Sequence, residues 1–179
     1  PGVMVSLLLH RVDLAPGQAV FLPAGTYEVA NLELRDGTRL TGVPGLTRLV
    51  YRGDGHLIAA QDIRRVSLSG ITFDGANRWL ADYTEGLLSF RSVDEVVIDG
   101  CEVVGSRKCG IYVARSGGRI EGSRLSGAAE AGIGQGCDVH HHRGRDGACQ
   151  YCRLAHSVRE AQAHRAGIVD DGDQRAYSA

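Results

Sequence analysis

Three stretches decide the fold: HLIAAQDIRRVSLSGITFDGAN (56–77), GLLSFRSVDEVVIDGCEVVGSR (86–107) and GIYVARSGGRIEGSRLSGAAEA (110–131). They share a core, x-Φ-x-G-x-x-Φ-x-G, in which Φ is apolar. It reads Leu68, Gly70, Phe73, Gly75 in the first copy, Ile98, Gly100, Val103, Gly105 in the second, and Ile120, Gly122, Leu125, Gly127 in the third. The step from Gly100 to Gly122 is 22 residues. The step from Gly70 to Gly100 is 30, and the excess falls in RWLADYTE, between Arg78 and Glu85. A weaker copy, RLTGVPGLTRLVYRG (39–53), puts Leu40 and Gly42 in the same roles.

Apolar residues that alternate with polar ones have the periodicity of strands, not helices. One such repeat cannot bury its own apolar face, but stacked repeats make a continuous core. The expectation is therefore an all-β, single-stranded parallel β-solenoid of about five coils. Leu68, Ile98 and Ile120 form one interior ladder, and Phe73, Val103 and Leu125 a second. The glycine columns mark corners where the backbone bends with φ > 0. Outside, Asp99 stacks between Ser69 and Glu121, and Glu102 beside Arg124. An antiparallel sandwich also has short strands and glycine turns, but it has no reason to keep this pattern in phase over three copies.

Composition agrees. The chain has 179 residues, 43% hydrophobic and 23% charged, with a formal net charge of −1. That balance argues against a broad basic nucleic-acid face or a polybasic membrane binder. Glycine is 25 of 179 residues, about twice the usual share, which fits many tight turns. The apolar run Val3 to Leu9 is far shorter than the roughly 20 residues of a spanning helix, and it lacks the flanks of a signal peptide. With Pro1 in place of Met, the chain reads as trimmed or as a fragment, and an export signal lost upstream is compatible with that. Five cysteines, an odd number, favour free thiols over a disulfide framework.

AVFLPAGTYEVANLELRDGTRLTGVPG (19–45), with its LPAGTY phrase at 22–27, resembles the opening turn of right-handed parallel β-helix proteins of the pectate-lyase-like superfamily. TRLVYRGDGHLIAAQDIRRVSLSGITFDGAN (47–77) is similar to the β-helix repeat proteins that bacteria export by the twin-arginine route, a group of unassigned activity. The resemblance covers about residues 18–133. It implies a right-handed coil and a periplasmic or extracellular location. It does not imply one chemistry, since the superfamily holds lyases, hydrolases, epimerases, phage depolymerases and non-catalytic members.

Three segments follow from this. Residues 1–17 are an N-terminal cap or a fragment edge, 18–133 the β-helix, and 134–179 a tail without the repeat. Adding 22 to Ile120 and Leu125 lands on His142 and Gly147, so no further coil is expected after Gly134. The tail holds five of the seven histidines and three of the five cysteines. Three readings are open for it. One is a zinc site on Cys149-x-x-Cys152 and His156, with Cys137, His140, His142 or His164 as further ligands. Another is a short helix within 149–165, with Leu154, Val158 and Ala161 on one side, in an otherwise disordered tail. The third is a shifted reading frame, because histidine codons read one base later give threonine, isoleucine or serine.

Candidate chemistry lies on the insertion and beside it. Trp79 and Tyr83, flanked by Asp82 and Glu85, suit carbohydrate, since a ring stacks on a sugar face while carboxylates accept from hydroxyls. Asp74 joins this set. The competing expectation folds Trp79 and Leu80 back over the apolar stack. If the chain is a fragment of a uronic-acid lyase or epimerase, then Asp74, Asp82 and Glu85 would hold Ca²⁺, and Arg107 or Lys108 would act as base or carboxylate clamp. Otherwise no cofactor is expected. The function expected is a β-helix module of an exported bacterial protein, contacting polysaccharide or structural, with no nucleic-acid partner and no membrane span. Its coil ends could associate with a second copy or with missing segments.

Overall fold

The computed structural model describes residues 8–10, 15–130, 132–136 and 153–160. Side chains of 8–10, 135–136 and 153–160 are outside that description. Among the described residues there is no helix, and so none long and apolar enough to cross a membrane. The strands are β1 (Leu8–His10), β2 (Ala19–Phe21), β3 (Gly25–Ala30), β4 (Leu32–Glu33), β5 (Thr38–Thr41), β6 (Thr47–Tyr51) and β7 (Ile58–Ser69). They continue with β8 (Thr72–Asp74), β9 (Gly86–Asp99), β10 (Glu102–Val104), β11 (Cys109–Ala114), β12 (Gly117–Ser126), β13 (Ile133–Gly136) and β14 (Arg153–Glu160). All belong to one sheet, curled through 275° into an open half-barrel. Adjacent strands run parallel, an arrangement consistent with a parallel β-helix.

Both expected ladders form. Leu40, Leu68, Ile98 and Ile120 lie in register across β5, β7, β9 and β12. Leu49, Phe73, Val103 and Leu125 do so across β6, β8, β10 and β12. A third ladder, Leu32, Ile58, Leu88, Ile111 and Ile133, closes the core from β4 to β13. Outside, Asp99 pairs with Ser69 and Glu121, and Glu102 with Arg124, as the repeat demands.

The long strands change direction where the backbone enters the left-handed region. Gly70, Gly100 and Gly122 have φ of 63, 58 and 56°, so the first glycine column is a true corner. In the second column Gly105 and Gly127 have positive φ, but Gly75 does not, and neither does Gly42, the weaker copy's member of the first column. Those two are glycine for lack of room. A Cβ on Gly75 would lie 2.4 Å from the Gly105 carbonyl oxygen, and one on Gly42 would lie 2.7 Å from Ile71. A further corner uses no glycine: Asp62, Ser92 and Arg115 take φ of 53, 53 and 48°. Buried serines satisfy backbone groups one repeat away. The Val93 amide donates to Ser116 Oγ at 2.9 Å, and the Cys101 amide to Ser123 Oγ at 3.1 Å. At the first turn, Asp36 accepts from the Arg64 and Arg65 amides and from the Arg64 guanidinium, which hold its carboxyl below the usual range.

The chain beyond Gly134 departs from expectation. β13 pairs with β11, and residues 153–160 are a strand, not the helix expected within 149–165. β14 runs along β12 from Gly117↔Arg153 to Leu125↔Glu160. The physical reason is the open edge of β12, whose unpaired backbone groups are a template for one more strand. A short helix without packing partners has no comparable stabilisation. The register sets His156 against Ile120 and Glu160 against Leu125, places that a step of 22 residues does not reach.

Ile98, fully buried in the first ladder, gives the simplest test. Ile98→Ala should cost about 2–5 kcal/mol, and Ile98→Asp should abolish folding, because its charge has no partner in the stack. Unchanged thermal unfolding of Ile98→Asp would refute the ladder. The glycines give a sharper pair. Gly118 has φ +131 and its Cβ would sit 1.9 Å from the Val96 carbonyl oxygen, whereas a Cβ on Gly100 meets nothing within 4 Å. Gly118→Ala should therefore cost well over the roughly 1–2 kcal/mol of left-handed backbone strain expected for Gly100→Ala. Equal losses in urea unfolding would contradict this geometry.

Candidate functional site

The insertion between β8 and β9 leaves the sheet at a turn set by Asp74. One carboxylate oxygen of Asp74 accepts from the Ala76 amide at 2.8 Å, while the other takes the Arg48 guanidinium at 2.6 and 3.0 Å. Asp74 is thus committed to its turn and to the neighbouring repeat. Ala76 and Asn77 follow in left-handed conformation, with φ of 50 and 51°. The chain then splits the two expectations for the insertion. Leu80 is buried on the core, but Trp79 and Tyr83 stand out, 73% and 70% exposed.

The two cations of the next repeat hold this loop. Lys108 Nζ donates to the carbonyls of Ala81, Asp82 and Thr84 at 3.1, 3.2 and 2.5 Å, matching the three donors of an ammonium. Arg107 Nε donates to the Asn77 carbonyl at 2.9 Å, and its guanidinium lies 5.1 Å from the centre of the Trp79 ring. The insertion is also pinned from the other side, where the Ala81 amide donates to the Gly55 carbonyl at 3.0 Å. Arg107 and Lys108, expected as base or carboxylate clamp, therefore position Trp79 and Tyr83. Among the described residues, no three His, Cys, Asp or Glu side chains gather in a way that could hold a metal ion, and Asp74, Asp82 and Glu85 form no such set.

Two recesses flank the insertion. One, of about 480 Å³, lies against Trp79 and is lined by Gly53, Asp54, Arg78 and Leu80. The other is a groove of about 440 Å³ over the outer face of β7 and β9, walled by Tyr83 and Thr84. Its shape follows from register. Glu33, Ala59, Ser89 and Tyr112 form one outward column, and its small middle members leave the depression. Gln61 and Arg91 form the column beside it, with Arg91 5.3 Å from the centre of the Tyr112 ring. Arg35 stands at one end. Such a groove offers planar donors and acceptors next to one exposed aromatic ring.

Comparison with protein-family models, curated proteins and solved structures found no match to the chain.

The groove also contains a residue that sequence reasoning missed. His56 is 9% exposed, and its Nε2 has no hydrogen-bond partner. Burial holds the imidazole below the ordinary histidine range, with Glu33 pulling weakly the other way. Its amide donates to Asn31 Oδ1 at 3.0 Å. A second orphan, Tyr51 Oη, lies five residues before it, its phenol pushed upward by burial. Only the position of His56 at the head of the first repeat, where the others have Gly86 and Gly110, could have drawn attention to it.

Cys101 and Cys109 are buried and not joined in a disulfide, and burial pushes the Cys101 thiol to about 11, so it is an inert core residue. Cys137, His140, His142, Cys149, Cys152 and His164 lie outside the described residues, and His156 is described only as backbone in β14.

Lys108→Met should release the insertion. Amide exchange of residues 79–85 should quicken at least about tenfold, with the strands of β7 and β9 unaffected, because losing even one charge-assisted bond costs roughly 1.5–3 kcal/mol. Unchanged exchange would show that Lys108 does not hold the loop.

Proposed function

We propose that the chain is a module of the right-handed parallel β-helix type, about five coils long and related to the pectate-lyase-like superfamily, that contacts carbohydrate in an exported bacterial protein. The observation that carries this reading is the insertion. It keeps two large aromatic rings exposed and holds them in place, one beside each recess. Ordering exposed rings costs free energy, so rings fixed by a clamp of backbone carbonyls and a cation–π stack suit a surface that meets a flat, partly apolar partner. The floor of the Tyr83 groove adds Glu33, Gln61 and Arg91, whose forked groups match adjacent hydroxyls, and the single hydroxyl of Ser89. Asp82 and Glu85 are exposed on the same insertion.

No side chain is given a catalytic part. The two cations on which a lyase or epimerase reading rests both donate to backbone carbonyls at or beside the insertion, a placement that favours the binding reading. The periplasmic or extracellular setting follows the sequence resemblance and is part of the same proposal.

The test is affinity electrophoresis in gels containing one polysaccharide each: polygalacturonate, alginate, xylan and soluble starch. At least one should retard the protein. Tyr83→Ala or Trp79→Ala should weaken that retardation roughly 2- to 10-fold, the range of a single aromatic contact. Absence of retardation in every gel would defeat the proposal, as would retardation that both substitutions leave unchanged. Release of unsaturated uronate absorbing in the ultraviolet, with Ca²⁺ present, would instead establish lyase chemistry.

A further inference from the structure

We propose that the insertion at residues 78–85, which walls the Tyr83 groove, is a flap that opens in acid, with His56 as its proton-sensitive support. Its role as a gate rests on the carbohydrate reading above, but the motion itself does not.

The geometry places His56 under the flap's attachment. The Ala81 amide is bonded to the Gly55 carbonyl, one residue before His56. A Cβ on Gly55 would meet Tyr83 Oη at 2.7 Å and Asn31 Oδ1 at 2.0 Å, so the tyrosine of the flap lies directly on this backbone. Asn31 Oδ1 in turn accepts the His56 amide, and Asn31 itself holds the left-handed backbone, φ 52°. His56, Tyr83 and Thr84 line the same groove.

A neutral imidazole is tolerable there, since only one ring nitrogen carries a proton. Protonation makes both nitrogens donors, and Nε2 has no acceptor. The charged groups around the groove do not compensate. Glu33, at the end of β4, and Asp62, at the corner of β7, are opposed by Arg35 and by Arg91 of β9, and Tyr83 of the flap brings no charge. Asp62 is moreover engaged with Gln61 at 3.0 Å. Hydrating the imidazolium is the remaining way to stabilise it, and lifting the flap admits water.

The sign follows from linkage. His56 binds its proton less readily in the closed state than the 6.5 of an ordinary histidine. Closure is therefore fully stable above that pH. It weakens as pH falls through the interval down to the closed-state value, by up to about tenfold in the opening equilibrium per pH unit.

Trp79, the only tryptophan of the chain, sits on the flap against Arg107 and reports on it. Its emission should change reversibly as pH falls below about 6.5, and the His56 imidazole resonances should titrate with the same midpoint. His56→Gln, which keeps a polar side chain without the titration, should abolish the change, and far-ultraviolet circular dichroism should show the sheet intact throughout. A flat Trp79 profile in the wild-type protein, or a transition that survives in His56→Gln, would overturn the proposal. Should that variant fail to fold, separate midpoints for Trp79 and His56 in the wild type would overturn it equally, and coincident ones would support it. If polysaccharide retardation fails while the transition is found, the flap stands and the carbohydrate reading falls. If retardation is found without a transition, the reverse holds.

Discussion

Parallel strands paired residue for residue impose phase: a position that faces inward in one repeat faces inward in every repeat beside it. Everything else depends on this. Leu68, Ile98 and Ile120 are buried because each is the floor for the next, and none would be stable inside alone. The same constraint reaches the corners. Ser116 and Ser123 each take an amide from the repeat before, so a hydroxyl in the interior is satisfied only while the phase holds. Even the surface obeys it, with Arg48 on Asp74, Arg52 on Glu28 and Arg65 on Glu95 as neighbours across adjacent repeats. These exposed pairs contribute little stability, but they are consistent with one register only.

Phase also explains what could be read in advance. The first two ladders were legible because their members recur 22 or 30 residues apart beside glycines. The third, Ile58, Leu88 and Ile111, was not, because Ile111 lies 23 residues after Leu88, and a step of 22 lands on Gly110 instead. The corner of Asp62, Ser92 and Arg115 escaped notice for a different reason. A backbone with φ > 0 is announced by glycine, and here the surrounding pairing enforces it on three residues with side chains. β14 was hidden because Ile120 and His156 are separated by 36 residues, not 22, and the second is not apolar.

The site was legible only in outline. An insertion carrying the single tryptophan marks itself, and Trp79 and Tyr83 are indeed exposed. The roles of its neighbours were not visible. Arg107 and Lys108 look like free cations in a linear sequence, but they fall one repeat beyond the insertion, where stacking turns them toward its carbonyls. Local sequence shows what a residue can do, and the adjoining repeat decides what it does.

The contrast between Lys108 and His56 shows how a repetitive scaffold makes room for a changeable element. An inner strand of the stack is bonded to neighbours on both sides, so it cannot move without breaking register. The insertion has no counterpart in the neighbouring repeats and is held instead by a few discrete contacts. On the Lys108 side those contacts are charge-assisted and fully matched, three donors to three carbonyls. On the Gly55–His56 side there is one backbone bond, from the Ala81 amide, and next to it a buried nitrogen with no partner. A loop attached so unequally pivots on its strong side when the weak side is disturbed. The weak side borders the groove at His56 and Tyr83, so a proton taken up at His56 acts where a ligand would enter.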